Sequence, residues 1–296
     1  MRIFSPSYYG QFRCIADKCT HSCCVGWEID IDKNSLLRYE NAQGKYLDEI
    51  RKSIEYGDTP HFRLTKNERC PHLDEHGLCR IITECGEDHL CDICREHPRF
   101  YNETSHGLEV GIGMACEEAA RIILSSDDYA DLGVELKDCG KFDAVIEREK
   151  VYKILSDNTL TYESRLLKIY SAYDTSPSAI DDEEWREVIS SLEYLDEGHR
   201  DIFSHYSSDT KTPERYEKML ERALAYFIFR HASGKDNEED FKSALGFACF
   251  MERLFASLLK SDPDGEKDAV MLARMISEEI EYSEDNTEEI MLNFSF

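Results

Sequence analysis

A chain of 296 residues can bury one large core or two of ordinary size, and its 61 acidic against 35 basic residues leave a formal net charge of −26. That balance argues against electrostatic attachment to nucleic acid or an anionic membrane as the main activity and suits a basic partner, with most of the acid expected on solvated helix faces. Arg2, Arg13, Asp17 and Lys18 interrupt the start of the chain before an apolar leader core could form, and apolar runs such as Ala223–Phe229 fall far short of the roughly 20 residues that span a bilayer. A cytoplasmic protein without a membrane anchor is expected.

In chain order, the segment Arg2–Ile31 carries the tight cysteine run C-x4-C-x3-CC, made by Cys14, Cys19, Cys23 and Cys24. It ends in Gly26-Trp27-Glu28-Ile29-Asp30-Ile31, whose alternation predicts a short strand, and Asp32 then offers a helix N-cap. Leu36, Leu37, Tyr39, Tyr46, Leu47, Ile50 and Ile54 recur at helical spacing, with Gly44 dividing two helices that stop near Gly57. Phe62-Arg63-Leu64-Thr65 is extended in character, Asp74-Glu75-His76-Gly77 is a turn between Cys70 and Cys79, and short helices are expected through Ile81-Ile82 and before Pro98. Helices are predicted over about 116–125, 141–156, 161–173, 181–199, 213–233, 238–260 and 266–282, separated by Ser176-Pro177, Thr212-Pro213 and Asp262-Pro263-Asp264-Gly265. The fold class expected is mainly α: a cysteine-rich, metal-organised domain with a few short strands over 1–125, then an all-helical domain over 126–296.

Ten of the twelve cysteines lie between Cys14 and Cys116. In a reducing compartment disulfides are disfavoured, and thiolates are soft ligands that favour zinc or iron–sulfur clusters, so a metal site is the first hypothesis. One tetrahedral zinc would use four of these thiols and a 4Fe–4S cluster three or four, which leaves a surplus for a second site or a reactive thiol. Cys139 and Cys249, alone on helical faces, read as small buried hydrophobes. His72, His76, His89 and His97 lie among the thiols and could replace one, while Arg95 and Arg99 beside Cys94 could stabilise a thiolate-rich centre or clamp a cofactor carboxylate. Leu108-Glu109-Val110-Gly111-Ile112-Gly113 imitates the strand and Gly-x-Gly of a nucleotide loop, but a plain turn explains it without the missing remainder of that fingerprint. Cys19-x3-Cys23 opens like a radical S-adenosylmethionine loop whose third cysteine falls at Cys24, two positions early. The pair Cys91-x2-Cys94 lacks the setting of a thioredoxin-like redox motif.

The blocks Phe12-Arg13-Cys14 to Cys23-Cys24-Val25-Gly26-Trp27, Cys70-Pro71-His72-Leu73 with Gly77-Leu78-Cys79, Gly86-Glu87-Asp88-His89-Leu90 to Cys94-x3-Pro98-Arg99, and Cys116-Glu117-Glu118-Ala119-Ala120-Arg121 together resemble the flagellin lysine-N-methylase family, within the wider cysteine-cluster (C-x2-C-x2-CC) proteins. Glu279-Ile280-Glu281-Tyr282-Ser283-Glu284-Asp285-Asn286 is similar to the family's closing acidic block. Departures are the wider first motif, Glu117 in place of a common proline, Tyr282 in place of a frequent histidine, and Cys85 and Cys91 as additions. The resemblance implies methyl transfer from S-adenosylmethionine to lysines of flagellin. It also implies an iron–sulfur cluster held by Cys14, Cys19, Cys23, Cys24, Cys70, Cys79, Cys94 and Cys116. The catalytic base stays unassigned, and the competing expectation is a zinc or iron–sulfur binding protein without enzymatic activity.

Overall fold

The computed structural model describes residues 2–126, 129, 141–208, 211–212, 214–261 and 268–294. Its elements in chain order are β1 (Ile3–Phe4), β2 (Ile29–Asp30), α1 (Lys33–Asn41), α2 (Lys45–Ser53), β3 (Ile54–Glu55), β4 (His61–Phe62), α3 (Arg80–Cys85), α4 (Asp92–Glu96), β5 (Arg99–Thr104) and β6 (Gly107–Ile112), followed by α5 (Glu117–Ser125), α6 (Ala144–Leu155), α7 (Tyr162–Tyr173), α8 (Asp182–Ser191), α9 (Glu197–Phe203), α10 (Glu217–His231), α11 (Glu238–Ser261), α12 (Ala269–Ile276) and α13 (Glu284–Leu292). The chain is mainly α with a few short strands, and its C-terminal region is helical, as expected. No helix among the described residues is long and apolar enough to cross a membrane.

Two compact units form, one of Arg13–Arg99 and one of Met1–Phe12 with Phe100–Phe296. β1 pairs in parallel with β6 (Ile3 opposite Leu108, Phe4 opposite Glu109), which joins the chain's first residues to the helical unit. That sheet runs in the order β1-β6-β5, so the segment around Gly111 belongs to a hairpin and not to a βαβ unit. A Cβ at Gly111 would lie 2.2 Å from Cζ of Phe100. Glycine there admits an aromatic ring, which accounts for the Gly-x-Gly pattern without any phosphate.

In the helical unit α11 is buried along nearly its whole length and packs against α10, α12 and α13. Trp185 of α8 lies against Phe250 with ring centroids 4.4 Å apart and donates its indole N–H to the Pro177 carbonyl at 2.8 Å. The helix expected over 181–199 is interrupted between Ser191 and Glu197. The backbone that leaves the helix there is satisfied from the C-terminal region: Asn286 bonds both the N–H and the carbonyl of Glu193, and Glu279 accepts from the N–H groups of Leu195 and Asp196. Cys249 is fully buried in this core, whereas Cys139 lies outside the described residues.

The acid is not confined to solvated faces. Glu109, Glu221 and Glu252 are buried and pair with Arg148, Arg165 and Arg253 at 2.8, 2.7 and 2.5 Å. Periodicity cannot distinguish such a glutamate from a solvated one, since Glu109 stands in a strand and Glu221 and Glu252 on helices of ordinary pattern, and only the facing arginine differs.

Candidate metal centre

In the Arg13–Arg99 unit the chain after the first cysteine run doubles back on the segment before Cys70. Gly26 N–H bonds the Glu68 carbonyl at 3.0 Å, Val25 bridges Arg69, and Cys70 N–H bonds the Cys24 carbonyl at 2.8 Å. Gly26 has φ +91°, a conformation that side chains resist and glycine accepts freely. Cys24 and Cys70 are thereby set side by side. The expected turn follows: Asp74 Oδ1 accepts from the N–H groups of His76 and Leu78 at 2.9 and 2.8 Å, and Leu73 bridges Cys79. Cys79 stands at the N-cap of α3 and Cys91 at the N-cap of α4.

Helix α1 holds the loop before α4 in place. Asp32 caps α1 through Ser35 N–H (2.9 Å), as its position in the sequence predicts, and its other carboxylate oxygen accepts from Asp92 N–H at 2.9 Å. Tyr39 donates to the His89 carbonyl at 2.6 Å and Arg38 to the Leu90 carbonyl at 3.2 Å. The result is one apolar cluster containing Ile29, Tyr39, Ile50, Phe62, Cys70, Ile81 and Cys91, with Cys24, Cys79, Cys85 and Cys94 packed against it.

Five of these thiols act on one another electrostatically: Cys24, Cys70, Cys79, Cys91 and Cys94. A hydrogen bond from Cys23 holds the Cys24 thiol down to about 7 against the opposing effect of burial, and one from Cys94 lowers Cys91. Burial pushes Cys70 up to about 12 and also raises Cys79; Cys94 is raised first by its bond to Cys91 and then by burial. A pocket this apolar resists the accumulation of negative charge on its thiols. A bound cation would reverse that preference, because it favours every adjacent thiolate.

Among the described residues no three His, Cys, Asp or Glu side chains are drawn together closely enough to hold an ion as they stand. In donor type and in neighbourhood the thiols suit a thiophilic metal, and Nδ1 of His89, two residues before Cys91, is closed off without a hydrogen-bond partner. Of the eight thiols expected to act together, Cys24, Cys70, Cys79 and Cys94 are assembled here. Cys23 is exposed beside Cys24; Cys14 is exposed and its sulfur accepts from Ala16 N–H at 3.4 Å; Cys19 donates to the His21 carbonyl at 2.8 Å; Cys116 belongs to the helical unit, at the N-cap of α5. Cys91, passed over as an addition to the shared set, is fully buried among the assembled thiols. Its C-x2-C spacing with Cys94 was the available signal.

His72 is committed elsewhere. Its ring nitrogens meet the Tyr46 hydroxyl at 2.9 Å and Ser53 Oγ at 2.8 Å, and burial lowers its pKa to about 4. Ser53 imitates a nucleophile beside a base, but its hydroxyl proton goes to the Ile50 carbonyl at 2.7 Å, so the imidazole donates to it and does not activate it. Arg95 pairs with Asp92 and, at 3.6 Å, with Glu96, and Arg99 donates to the Arg95 carbonyl at 3.2 Å. Both remain beside Cys94 in sequence, yet carboxylates of its own helix already engage Arg95.

The closing acidic block has a structural role in the helical unit. Glu281, at the end of a π-turn over Ser277–Glu281, accepts from Tyr226 (3.0 Å), His231 (2.6 Å) and Ser277 and pairs with Arg230 at 3.3 Å. Burial acts to raise the Glu281 carboxyl, but the Arg230 charge and the bonds from His231 and Ser277 override it and hold the pKa below the ordinary 4.5. His231 is held below the ordinary 6.5, burial outweighing the carboxylate. Both folded values are depressed, so the unfolded chain binds protons first, and the stability these groups contribute is present above about pH 6.5 and lost as the pH falls. The urea midpoint of the protein is expected to decline from about pH 6.5 downward, through the histidine range and then the carboxylate range, with a shallower acid limb in Glu281→Gln. A midpoint independent of pH, or an unchanged acid limb in the variant, would contradict this assignment.

The helical unit also carries a half-open pocket of about 390 Å³ whose walls include Phe142, Tyr173 and Phe241. Its charged groups pair with one another, Lys150 with Glu147 at 2.7 Å and Lys242 with Glu238 at 2.8 Å.

Comparison with known proteins finds distant relatives. A lysine-N-methylase of Salmonella typhimurium (strain LT2) is 25% identical over 135 residues, 43% of this chain and 33% of that protein, and a lysine-N-methylase of Salmonella choleraesuis matches to the same extent. The chain is distantly related to the lysine-N-methylases. It aligns with only about a third of their length. The flagellar biosynthetic protein FliU of Salmonella muenchen is 26% identical over 140 residues, 44% of this chain and 82% of that protein. No family model matches the chain, and no solved structure does.

Proposed function

We propose that this chain is a protein-lysine N-methyltransferase that takes its methyl groups from S-adenosylmethionine, acts on flagellin and carries an iron–sulfur cluster of the 4Fe–4S type on thiols of the Arg13–Arg99 unit. The match to two proteins named lysine-N-methylase carries the reading, and the thiol pocket supports its metal component. When bound, such a cluster would supply a Lewis-acidic iron able to take the amino-acid end of a methyl donor.

Methyl transfer forms a bond between the lysine nitrogen and the methyl carbon as the carbon–sulfur bond breaks, so the amine must first be neutral, by loss of its proton to a base or by desolvation. Of the pocket thiols, Cys70 and Cys91 are buried and Cys24, Cys79 and Cys94 partly so. The net charge of −26 would draw a lysine-bearing partner and release it as salt screens the attraction. Arg95 and Arg99 are the proposed clamp for a donor carboxylate, a role for which Arg95 would exchange Asp92 and Glu96 for the ligand.

Flagellin from cells with and without this protein is expected to differ by methyl increments on lysine in mass spectra. An unchanged lysine mass pattern would reject the methylase reading and favour a protein in which zinc or an iron–sulfur cluster only staples loops together. The burial of Cys70 and Cys91 is the observation on the side of that second reading.

A further inference from the structure

Cys24 and Cys70 are brought side by side by backbone pairing that involves no metal. We propose that these two thiols form a reversible disulfide when the metal-free chain meets a small disulfide oxidant such as glutathione disulfide, and that this bond locks the thiol pocket against metal loading. The locking consequence rests on the reading that the unit holds a thiophilic metal; the bond itself does not.

The pairing carries it. Val25 and Arg69 bridge in the antiparallel sense, with Gly26 N–H bonded to the Glu68 carbonyl at 3.0 Å on one side and Cys70 N–H bonded to the Cys24 carbonyl at 2.8 Å on the other. Residues bonded in this way across an antiparallel pair have Cα atoms about 5.5 Å apart. A disulfide spans Cα separations of about 4.4–6.8 Å, so the backbone already holds the two residues within reach of the bond. The side chains agree, because Cys70 belongs to the apolar cluster of the unit and Cys24 packs against that same cluster. Among the pairings open to twelve cysteines, this one closes on hydrogen bonds and a core that the fold itself supplies, so folding of the unit favours it.

Access sets the order of events: Cys24 is partly exposed, whereas Cys70 is 6% exposed. The Cys24 thiolate attacks one sulfur of the oxidant, the oxidant's sulfur–sulfur bond breaks, and a mixed disulfide forms on Cys24 as one small thiolate leaves and takes up a proton. Cys70 then gives its proton to solvent, and its sulfur displaces the second small thiol from Cys24 and closes the bond. Two protein thiols are oxidised by two electrons in all, and one small disulfide is reduced to two thiols. In a reducing compartment the pair stays reduced, and the bond forms only as the oxidant accumulates.

The full chain, stripped of metal by a chelator without oxygen, is treated with glutathione disulfide, alkylated with iodoacetamide and mapped by mass spectrometry. One dominant cross-linked peptide pair joining Cys24 to Cys70 is expected, lighter by two hydrogen atoms than the separate peptides and cleaved by dithiothreitol. Cys70→Ala is expected to stop halfway, with glutathione retained on Cys24. The oxidised chain is expected to bind Co²⁺ more than about tenfold more weakly than the reduced chain, since losing even an indirect supporting group costs a metal site that much, and to recover on reduction. A map dominated by another pair, such as Cys91–Cys94 or Cys23–Cys24, or by a random mixture, overturns the proposal, and it is read on the unaltered protein, whatever becomes of the variant's folding. Oxidised protein that binds Co²⁺ as tightly as the reduced chain overturns the lock. A reduced chain that binds no Co²⁺ overturns the metal reading and the lock with it, while the peptide map still decides the disulfide.

Discussion

Arg148→Met is expected to cost about 3–5 kcal/mol, because it leaves a buried carboxylate without its cation. Arg148 has no exposed surface and Glu109 is 1% exposed. One guanidinium nitrogen donates to both oxygens of Glu109, at 2.9 and 2.8 Å, and to Ser233 Oγ at 2.6 Å, and the guanidinium lies over the rings of Tyr152 and Phe229 at 5.7 and 5.3 Å. The residue thus ties β6 to α6 and to the end of α10. Methionine fills similar volume, so the loss is mainly electrostatic and not a cavity. The double variant Arg148→Met/Glu109→Leu removes both charges and is expected to recover most of the stability, since two apolar groups can replace a buried pair at little net cost. Urea unfolding of the wild type, both single variants and the double gives the coupling directly. A single variant within about 1 kcal/mol of wild type, or a double no better than the worse single, would show that Glu109 is solvated or neutral in the fold.

Removal of metal is expected to unfold the Arg13–Arg99 unit while the helical unit stays folded. The core of the smaller unit is built from short helices and two-residue strands and is largely one apolar cluster in which thiols occupy central places. Without a cation those thiols oppose one another: Cys70 is pushed up to about 12 by burial and neighbouring thiols, and Cys94 is raised by its bond to Cys91 and by burial. Structural zinc contributes about 10–16 kcal/mol of apparent binding energy in small thiolate modules, more than a domain of this size usually has in reserve. Hydrogen exchange of metal-loaded protein before and after a strong chelator is the measurement. Protection should collapse in α1, α2 and β2–β4 and persist in α10 and α11. Equal protection in both states would mean that the apolar cluster suffices alone and that metal, if bound, is incidental to the fold.

The sequence made some local features legible because their causes are local. Asp32 caps a helix wherever it meets a free N–H three residues on, and Asp74 with Gly77 turns the chain by its own side-chain bonds. The apolar period of α11 is set by its own residues. The interruption between α8 and α9 could not be read that way, because Asn286 and Glu279, more than eighty residues distant, provide the hydrogen bonds that replace the helix. Buried Glu109, on β6, and buried Glu281 were hidden in the same manner among many acids of ordinary spacing.

Taken alone, the chain determined its helical class, most of its helix positions and a dense set of soft ligands, since these follow from periodicity, caps and residue chemistry within short spans. Tertiary structure decided which thiols meet. Spacing grouped Cys14 with Cys24, and the family resemblance set Cys91 aside. Pairing of the chain around Cys24 with that before Cys70, and the anchoring of α4 by α1, instead gathered Cys24, Cys70, Cys79, Cys91 and Cys94 in one pocket and left Cys116 in the other unit. Convergence of residues up to seventy positions apart is set by packing and backbone pairing, which the one-dimensional order of the chain does not contain.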